Sequence, residues 1–275
     1  MKKKRKLKKL NLLIFMLDFL CFIGISISIF NIVKWKLDSN KIISEINDIQ
    51  DMVEIKETNN EENTEIIEQT EEIPSFNPYW DYIKMNLISV DFNKLKQINP
   101  STIGWIQISG TNINYPFVQA NDNKYYLTHT FNKSYNSAGW VFLDYRNNKN
   151  KLDKNNIIYA HGRIDKTMFG SLKNVLSSDW QNNSNNHIVK ISTEKDNTLW
   201  QVFSVYHIPT TSDYIQITFN SNEDFKKWAS MLINRSVYDF NTNVNESDKI
   251  LTLSTCYNNE EKVVLHAKLI KKETR

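Results

Sequence analysis

The chain has 275 residues, which leaves room for one sizeable domain with appendages. Its formal net charge is +3, but seven cations fall within the first nine residues, and the rest of the chain carries a formal charge of −4. No basic face is left for a nucleic acid, so we exclude that class of partner.

The N-terminal segment predicts a membrane anchor. Residues 1–9 form a basic cytoplasmic flank, and residues 10–33 are 24 mostly apolar residues, more than the ~20 that a membrane-spanning helix needs. No small-x-small cleavage site follows, and the cations mark the cytoplasmic side. We expect an uncleaved, single-pass signal-anchor in the cell membrane, with the N-terminus inside and the rest outside; a cleaved signal peptide is the alternative. Asp18 is interpreted as a tolerated residue within the span.

Residues 34–73 are interpreted as an acidic stalk or linker. The isoleucines at 42, 43, 46 and 49 have nearly helical spacing, so a short helix or coiled stalk is expected first. The later part is rich in glutamate and poor in aromatic residues, which is typical of a solvated spacer.

Residues 74–275 read as a globular, mostly β domain. Short helices are expected at 78–85 and 91–98, and a longer helix runs from Ser221, its N-cap, to about Arg235, with an apolar face. Strand patterns occur at 103–108, 115–119, 139–143, 156–159, 188–192, 199–207, 215–219, 249–256 and 262–270. Many short strands with few helices favour a barrel or sandwich over a doubly wound sheet.

Cys256 is the one cysteine that the anchor prediction leaves outside the membrane, because Cys21 lies in the apolar run. A single exported thiol cannot close an internal disulfide, so Cys256 is either a buried small side chain or a nucleophile. It ends an alternating strand and is followed by polar residues, which favours the nucleophile.

A nucleophilic thiol needs a base, and His161 is the best candidate. It closes an apolar strand pattern and precedes Gly162, a position that presents a side chain to a cleft. His129 and His187 lie in polar turns, whereas His207 and His266 lie within strands, where a satisfied structural histidine is expected.

These residues resemble class B sortases over about 74–272. The resemblance rests on residues 157–163 (Ile-Ile-Tyr-Ala-His-Gly-Arg), 167–172 (Thr-Met-Phe-Gly-Ser-Leu), 252–256 (Thr-Leu-Ser-Thr-Cys) and 263–269 (Val-Val-Leu-His-Ala-Lys-Leu). It also includes residues 99–116, 123–127 and 139–146. The resemblance implies a closed eight-stranded sortase-type β-barrel with short N-terminal helices and one longer helix between two late strands.

The resemblance further implies a cysteine transpeptidase that anchors surface proteins. Cys256 would attack the threonine carbonyl of an Asn-Pro-x-Thr-type sorting signal, and an amine of a peptidoglycan precursor or a pilin would resolve the thioester. His161 would act as acid and base. No metal and no organic cofactor are implied.

The catalytic arginine of the family is replaced by lysine in this sequence. Lys262 stands at its position and keeps the charge without the planar fork of donors, so its role as oxyanion stabiliser is left open. Arg163 is the other candidate donor, with a salt-bridged surface arginine as its alternative. The family's substrate contacts correspond here to Asn123, Leu127, Thr210, Tyr214 and Ser254.

Two alternatives compete with the transpeptidase. The first is a catalytically impaired, sortase-like β-barrel that binds peptides, because Lys262 replaces the arginine. The second is a papain-like protease, which is disfavoured because here the histidine precedes the cysteine and both lie on strands.

Overall fold

The chain begins with a long helix, α1 (Lys2–Met52). The structure, a computed structural model, describes residues 2–67, 78–256 and 260–275, but not the side chains of residues 2–11 and 256. By length and composition, the helical stretch Leu12–Met52 is apolar enough to cross a membrane. The chain divides into two units, one that ends at Ile43 and one that covers Ser44–Arg275.

Eight strands of the second unit form a closed ring, as the resemblance to class B sortases implies. The strands are β4 (Thr102–Ile108), β5 (Asn114–Val118), β6 (Phe142–Leu143), β7 (Asn155–Tyr159), β8 (Ile188–Thr193), β9 (Asp196–Pro209), β10 (Ile250–Cys256) and β11 (Glu261–Thr274). Their order is β10-β7-β6-β5-β4-β8-β9-β11, and the pairing of β10 with β11 closes the barrel. Closure removes the sheet edges that would otherwise expose unpaired backbone groups.

Part of the expected stalk belongs to this unit, which corrects the expectation of a solvated spacer. Strand β1 (Ile55–Thr58) pairs with β3 (Leu87–Val90), and β2 (Thr64–Ile66) pairs with β11. The last turns of α1 bury Ile46 and Ile49. Composition alone assigns this acidic segment to solvent. It is nevertheless part of the folded unit, because the end of α1 has apolar residues at helical spacing and because β1 and β2 pair with other strands. The predicted boundary at residue 74 lies outside the described residues.

Three helices of the barrel domain, α2 (Tyr79–Tyr82), α3 (Asn93–Ile98) and α5 (Asn222–Arg235), lie close to where they are expected, whereas the sequence does not predict α4 (Ser178–Gln181). The Ser221 hydroxyl accepts a hydrogen bond from the Asp224 N–H at 3.1 Å, so the predicted N-cap is present. The apolar face of α5 packs Phe225, Trp228 and Leu232 onto the barrel.

The strand predicted at 215–219 is wrong. Residues Asp213–Ile215 form a 3-10 turn, and the described residues between this turn and α5 form no strand. The main-chain oxygens of Ile215 and Gln216 accept hydrogen bonds from the side chains of Arg146 and Asn155, at 3.2 and 2.9 Å. Side-chain donors thus take the place of a neighbouring strand. The alternating residues give the segment one apolar face, but they do not supply a partner strand for its backbone groups.

Candidate active site

The position of Cys256 follows from the pairing of β10. Residues Thr252 and Ser254 share one face of the strand, because successive side chains point to opposite sides, and Cys256 follows Ser254 by two residues. Cys256 is the last residue of β10 and lies opposite Lys262, near the start of β11. The predicted nucleophile and the predicted oxyanion donor are therefore cross-strand neighbours.

His161 reaches the same end of the barrel through a parallel strand pair. Strand β7 runs parallel to β10 and its Tyr159 lies opposite Ser254. His161 follows Tyr159 by two residues, as Cys256 follows Ser254, so both chain segments leave the sheet at one end. Two of the sequence-predicted catalytic residues are thereby brought to a common edge by register alone.

The His161 ring is held by the main chain of a neighbouring loop. Its Nε2 atom lies 2.8 Å from the main-chain oxygen of Leu127, and its own carbonyl accepts a hydrogen bond from the Phe169 N–H at 3.0 Å. A carbonyl can only accept, so Nε2 carries the proton in the neutral ring. The Nδ1 atom is then the site that can take up and release a proton.

The Arg163 side chain is engaged in a buried ion pair. Its guanidinium forms an ion pair with Asp165 at 2.7 Å and donates a hydrogen bond to the Thr167 hydroxyl at 3.0 Å. Its side chain is only 8% exposed. The salt-bridged interpretation of Arg163 is therefore correct, although the pair is buried and not at the surface. Lys262 remains the cation opposite Cys256.

Three of the predicted substrate contacts adjoin β10 or the loop after it. The Tyr214 hydroxyl lies 2.9 Å from the Ser254 Oγ atom, and both side chains are buried. The N–H and hydroxyl of Thr210 donate hydrogen bonds to the Glu260 main-chain oxygen, at 2.8 and 3.0 Å. Thr210 thus holds the chain just beyond the undescribed residues 257–259.

The other two predicted contacts, Leu127 and Asn123, lie in the loop between β5 and β6. Leu127 is half-buried and supplies the carbonyl that binds the His161 ring. The side-chain amide of Asn123 donates to the Asp144 carboxylate and accepts from the Tyr145 N–H, both at 3.0 Å. Asn123 therefore stabilises the loop beside the site, and a role as substrate contact stays a prediction.

Asp144 is a site residue that the sequence reasoning did not single out. Its carboxylate is fully buried, binds Arg146 at 2.7 Å, and accepts a hydrogen bond from the Tyr159 hydroxyl at 3.0 Å. Burial opposes its charge, but hydrogen bonds and the Arg146 charge outweigh this effect and lower its pKa. The Asp-Tyr-Arg spacing after an apolar run is the sequence signal that could have indicated this pair.

Within the described ranges, no group of three or more His, Cys, Asp or Glu side chains could hold a metal ion. The chemistry at this end of the barrel therefore depends on the Cys256 position, the His161 imidazole and the Lys262 ammonium group.

Known proteins share both the sequence and the architecture of this chain. The family model for the sortase domain matches residues 106–270. The chain is 33% identical to sortase B of Staphylococcus aureus over 184 residues, covering 66% of this chain and 75% of that protein. It is 34% identical to sortase B of Listeria monocytogenes over 186 residues, again covering 66% of this chain and 75% of that protein.

Solved structures give the same result. A sortase B from B. anthracis in complex with AAEK1 superposes with a TM-score of 0.67 at 30% identity, covering 86% of this chain and 99% of that one. A Staphylococcus aureus sortase B-substrate complex gives a TM-score of 0.61 at 34% identity, covering 66% and 84%. A sortase B complexed with triglycine gives 0.62 at 33% identity, covering 66% and 85%.

Proposed function

The chain belongs to the sortase family of cysteine transpeptidases, and on that premise we propose that it is a membrane-anchored class B enzyme that cleaves an Asn-Pro-x-Thr-type sorting signal after threonine. Cys256 is the nucleophile, His161 the acid and base, and Lys262 the cation that stabilises the oxyanion. The observation that carries this proposal is the register of β7 with β10, which brings the chain positions of Cys256 and His161 to one edge.

The first half-reaction forms a thioester. The Cys256 thiolate attacks the threonine carbonyl, and the negative charge develops on its oxygen beside Lys262. The C–N bond then breaks, and the leaving amine takes a proton from the His161 imidazolium. The hydrogen bond from Nε2 to Leu127 supports this role, because it orients the ring and leaves Nδ1 to exchange the proton.

The second half-reaction transfers the acyl group to an amine. The acceptor nitrogen attacks the thioester, gives a proton to His161, and expels the Cys256 thiolate. The acceptor is an amine of a peptidoglycan precursor or of a pilin. A relative complexed with triglycine supports a glycine amino group as one form of it.

The anchor directs this chemistry to the outer face of the cell membrane. The apolar stretch within α1 is long enough to span the bilayer, and the cations that precede it favour a cytoplasmic N-terminus. The proposal therefore has one pass through the membrane and an external barrel.

A catalytically impaired peptide-binding module is the second candidate, and Lys262 is the observation that favours it. Intact-mass measurement of the protein mixed with a sorting peptide separates the two functions. A covalent adduct of the acyl fragment on Cys256 supports the enzyme, and its loss in Cys256→Ala localises it. Reversible binding without any adduct, at neutral and mildly alkaline pH, supports the module and contradicts the enzyme.

A further inference from the structure

A fully buried histidine on β11 joins two hydroxyl groups beneath α5. The Nδ1 atom of His266 lies 2.9 Å from the Thr252 Oγ1 atom, and its Nε2 atom lies 2.8 Å from the Tyr206 hydroxyl. All three side chains are at most 1% exposed. The sequence predicts a structural histidine with satisfied hydrogen bonds here, and the two hydrogen bonds agree with that prediction. They also connect β11 to its two neighbouring strands, β10 and β9.

The proton positions in this chain of hydrogen bonds are determined by its partners. Asn155 donates its amide N–H to the Gln216 main-chain oxygen at 2.9 Å, which leaves its Oδ1 atom to accept from the Thr252 hydroxyl at 2.7 Å. The Thr252 oxygen then accepts from Nδ1–H of His266, and Nε2 accepts from Tyr206. Burial, aided by the charge of Arg235, lowers the pKa of His266 to about 3, so the ring stays neutral.

Both ends of this series of hydrogen bonds lie at one short polypeptide segment, residues 213–216. At one end, Asn155 holds the Gln216 oxygen. At the other end, the Arg235 guanidinium lies beside the Tyr206 hydroxyl and binds the Asp213 carboxylate through two hydrogen bonds of 2.9 and 2.6 Å. His266 therefore lies in the middle of a hydrogen-bond network whose two ends contact the same polypeptide segment, residues 213–216.

The 213–216 segment contacts β10, the strand that ends at Cys256. Tyr214 within the segment reaches Ser254, which stands two residues before Cys256 in β10. None of the described strands pairs with the segment, and side chains supply much of its hydrogen bonding. Its position relative to β10 therefore depends on the side-chain network, since no backbone ladder among the described residues fixes it.

We propose that His266 is a positioning residue that couples Thr252 to Tyr206 and thereby fixes the 213–216 segment, with Tyr214, against strand β10. The consequence for binding rests on the proposed function and on the expectation that Tyr214 and Ser254 contact the sorting peptide. The coupling between Thr252 and Tyr206 depends on neither. Because the 213–216 segment is already held in place before the peptide binds, little of its conformational entropy is lost on binding.

Hydrogen exchange measures the coupling without any turnover. Tyr206→Phe and Thr252→Val each remove one hydroxyl from the chain and keep the shape of the side chain. We expect amide exchange in the peptides that cover residues 213–219 to rise about tenfold in both, as expected when a local unit loosens. Tyr82→Phe is the matched control, because its buried hydroxyl donates to the distant Ser184 oxygen at 2.8 Å; it should leave that segment unchanged.

Kinetics then separate positioning from general stability. In both variants we expect KM for a sorting peptide to rise about tenfold with kcat nearly unchanged, and alkylation of Cys256 by a small reagent to keep its rate. The double variant should lose less than the product of the two single effects, because either change interrupts the same chain. His266→Asn, which keeps the donor to Thr252, should perturb exchange less than His266→Leu.

Three results would overturn the proposal: unchanged exchange in the segment, fully multiplicative effects of the two variants, or global unfolding of both while Tyr82→Phe stays native. If the wild-type protein forms no adduct with any sorting peptide, the proposed function fails on its own. The exchange data still decide whether His266 positions the segment.

Discussion

The Nε2 atom of His161 lies 2.8 Å from the main-chain oxygen of Leu127. This hydrogen bond ties the ring to the loop after β5, so the histidine is fixed from outside its own strand. Orientation by a backbone carbonyl also determines which ring nitrogen carries the proton at neutral charge. The acid–base role proposed for His161 depends on this geometry.

Cys256→Ala should abolish peptide cleavage, and His161→Ala should lower kcat/KM by about 10²–10⁴, the range for loss of a general acid–base group. His207→Ala is the control, because His207 is exposed and pairs with Glu261; it should keep activity close to that of the wild-type protein. Cleavage of a fluorogenic sorting peptide gives the rates. Wild-type turnover by either Cys256→Ala or His161→Ala would contradict the transpeptidase assignment.

Lys262→Ala should lower the single-turnover acylation rate by about 10²–10³, the usual loss for one oxyanion donor. Lys262→Arg should match or exceed the wild-type rate, because the guanidinium supplies two parallel donors. If Lys262→Ala acylates like the wild-type protein, the ammonium group is not the donor.

Arg163→Ala should act on stability. Removal of the guanidinium leaves the Asp165 carboxylate buried without its ion partner, and such a loss costs about 3–5 kcal/mol in the free energy of unfolding. Denaturant titration measures this cost, and the acylation rate of the folded fraction should remain near that of the wild-type protein. A stable Arg163→Ala protein with a collapsed acylation rate would move the oxyanion role to Arg163.

A protein that begins at Ser44 should be more stable than one that begins at Pro74. The shorter protein loses β1, β2 and the buried Ile46 and Ile49. The Glu273 carboxylate also loses its hydrogen bonds from Thr58 and Asn60, at 2.9 and 3.2 Å.

We expect the thermal midpoint to fall by about 10 °C, since each kcal/mol lost shifts it by about 2–4 °C in a domain of this size. Ile49→Asp in the longer protein should reproduce part of the loss. Equal midpoints for the two proteins would restore the view that the acidic segment is a spacer.

Stability should fall on mild acidification because of His266. Its pKa in the folded protein is about 3, below the ordinary value of 6.5, so the unfolded chain binds more protons between these values. The stabilisation is complete above pH 6.5 and is lost as the pH falls, by about 2 kcal/mol at pH 5. His266→Gln should flatten this slope between about pH 7.5 and pH 5. An unchanged slope in His266→Gln would assign the acid sensitivity to other groups.

The sequence by itself determined the features that depend on near neighbours. The alternation of residues 250–256 predicted β10, and the Ser221 cap three residues before Asp224 predicted the start of α5. Strand periodicity and capping are local effects, so a short window contains them. The motifs around His161 and Cys256 likewise indicated the family before any contact was known.

Only the tertiary structure decided which distant residues meet. The pairing of Tyr159 with Ser254, the recruitment of an acidic segment into sheets, and the loss of a strand at 215–219 depend on partners far away in sequence. The link from Thr252 through His266 to Tyr206 has the same origin. Alternation fixes which face a side chain occupies, but the register between strands and the donors available to an unpaired segment come from the closed barrel.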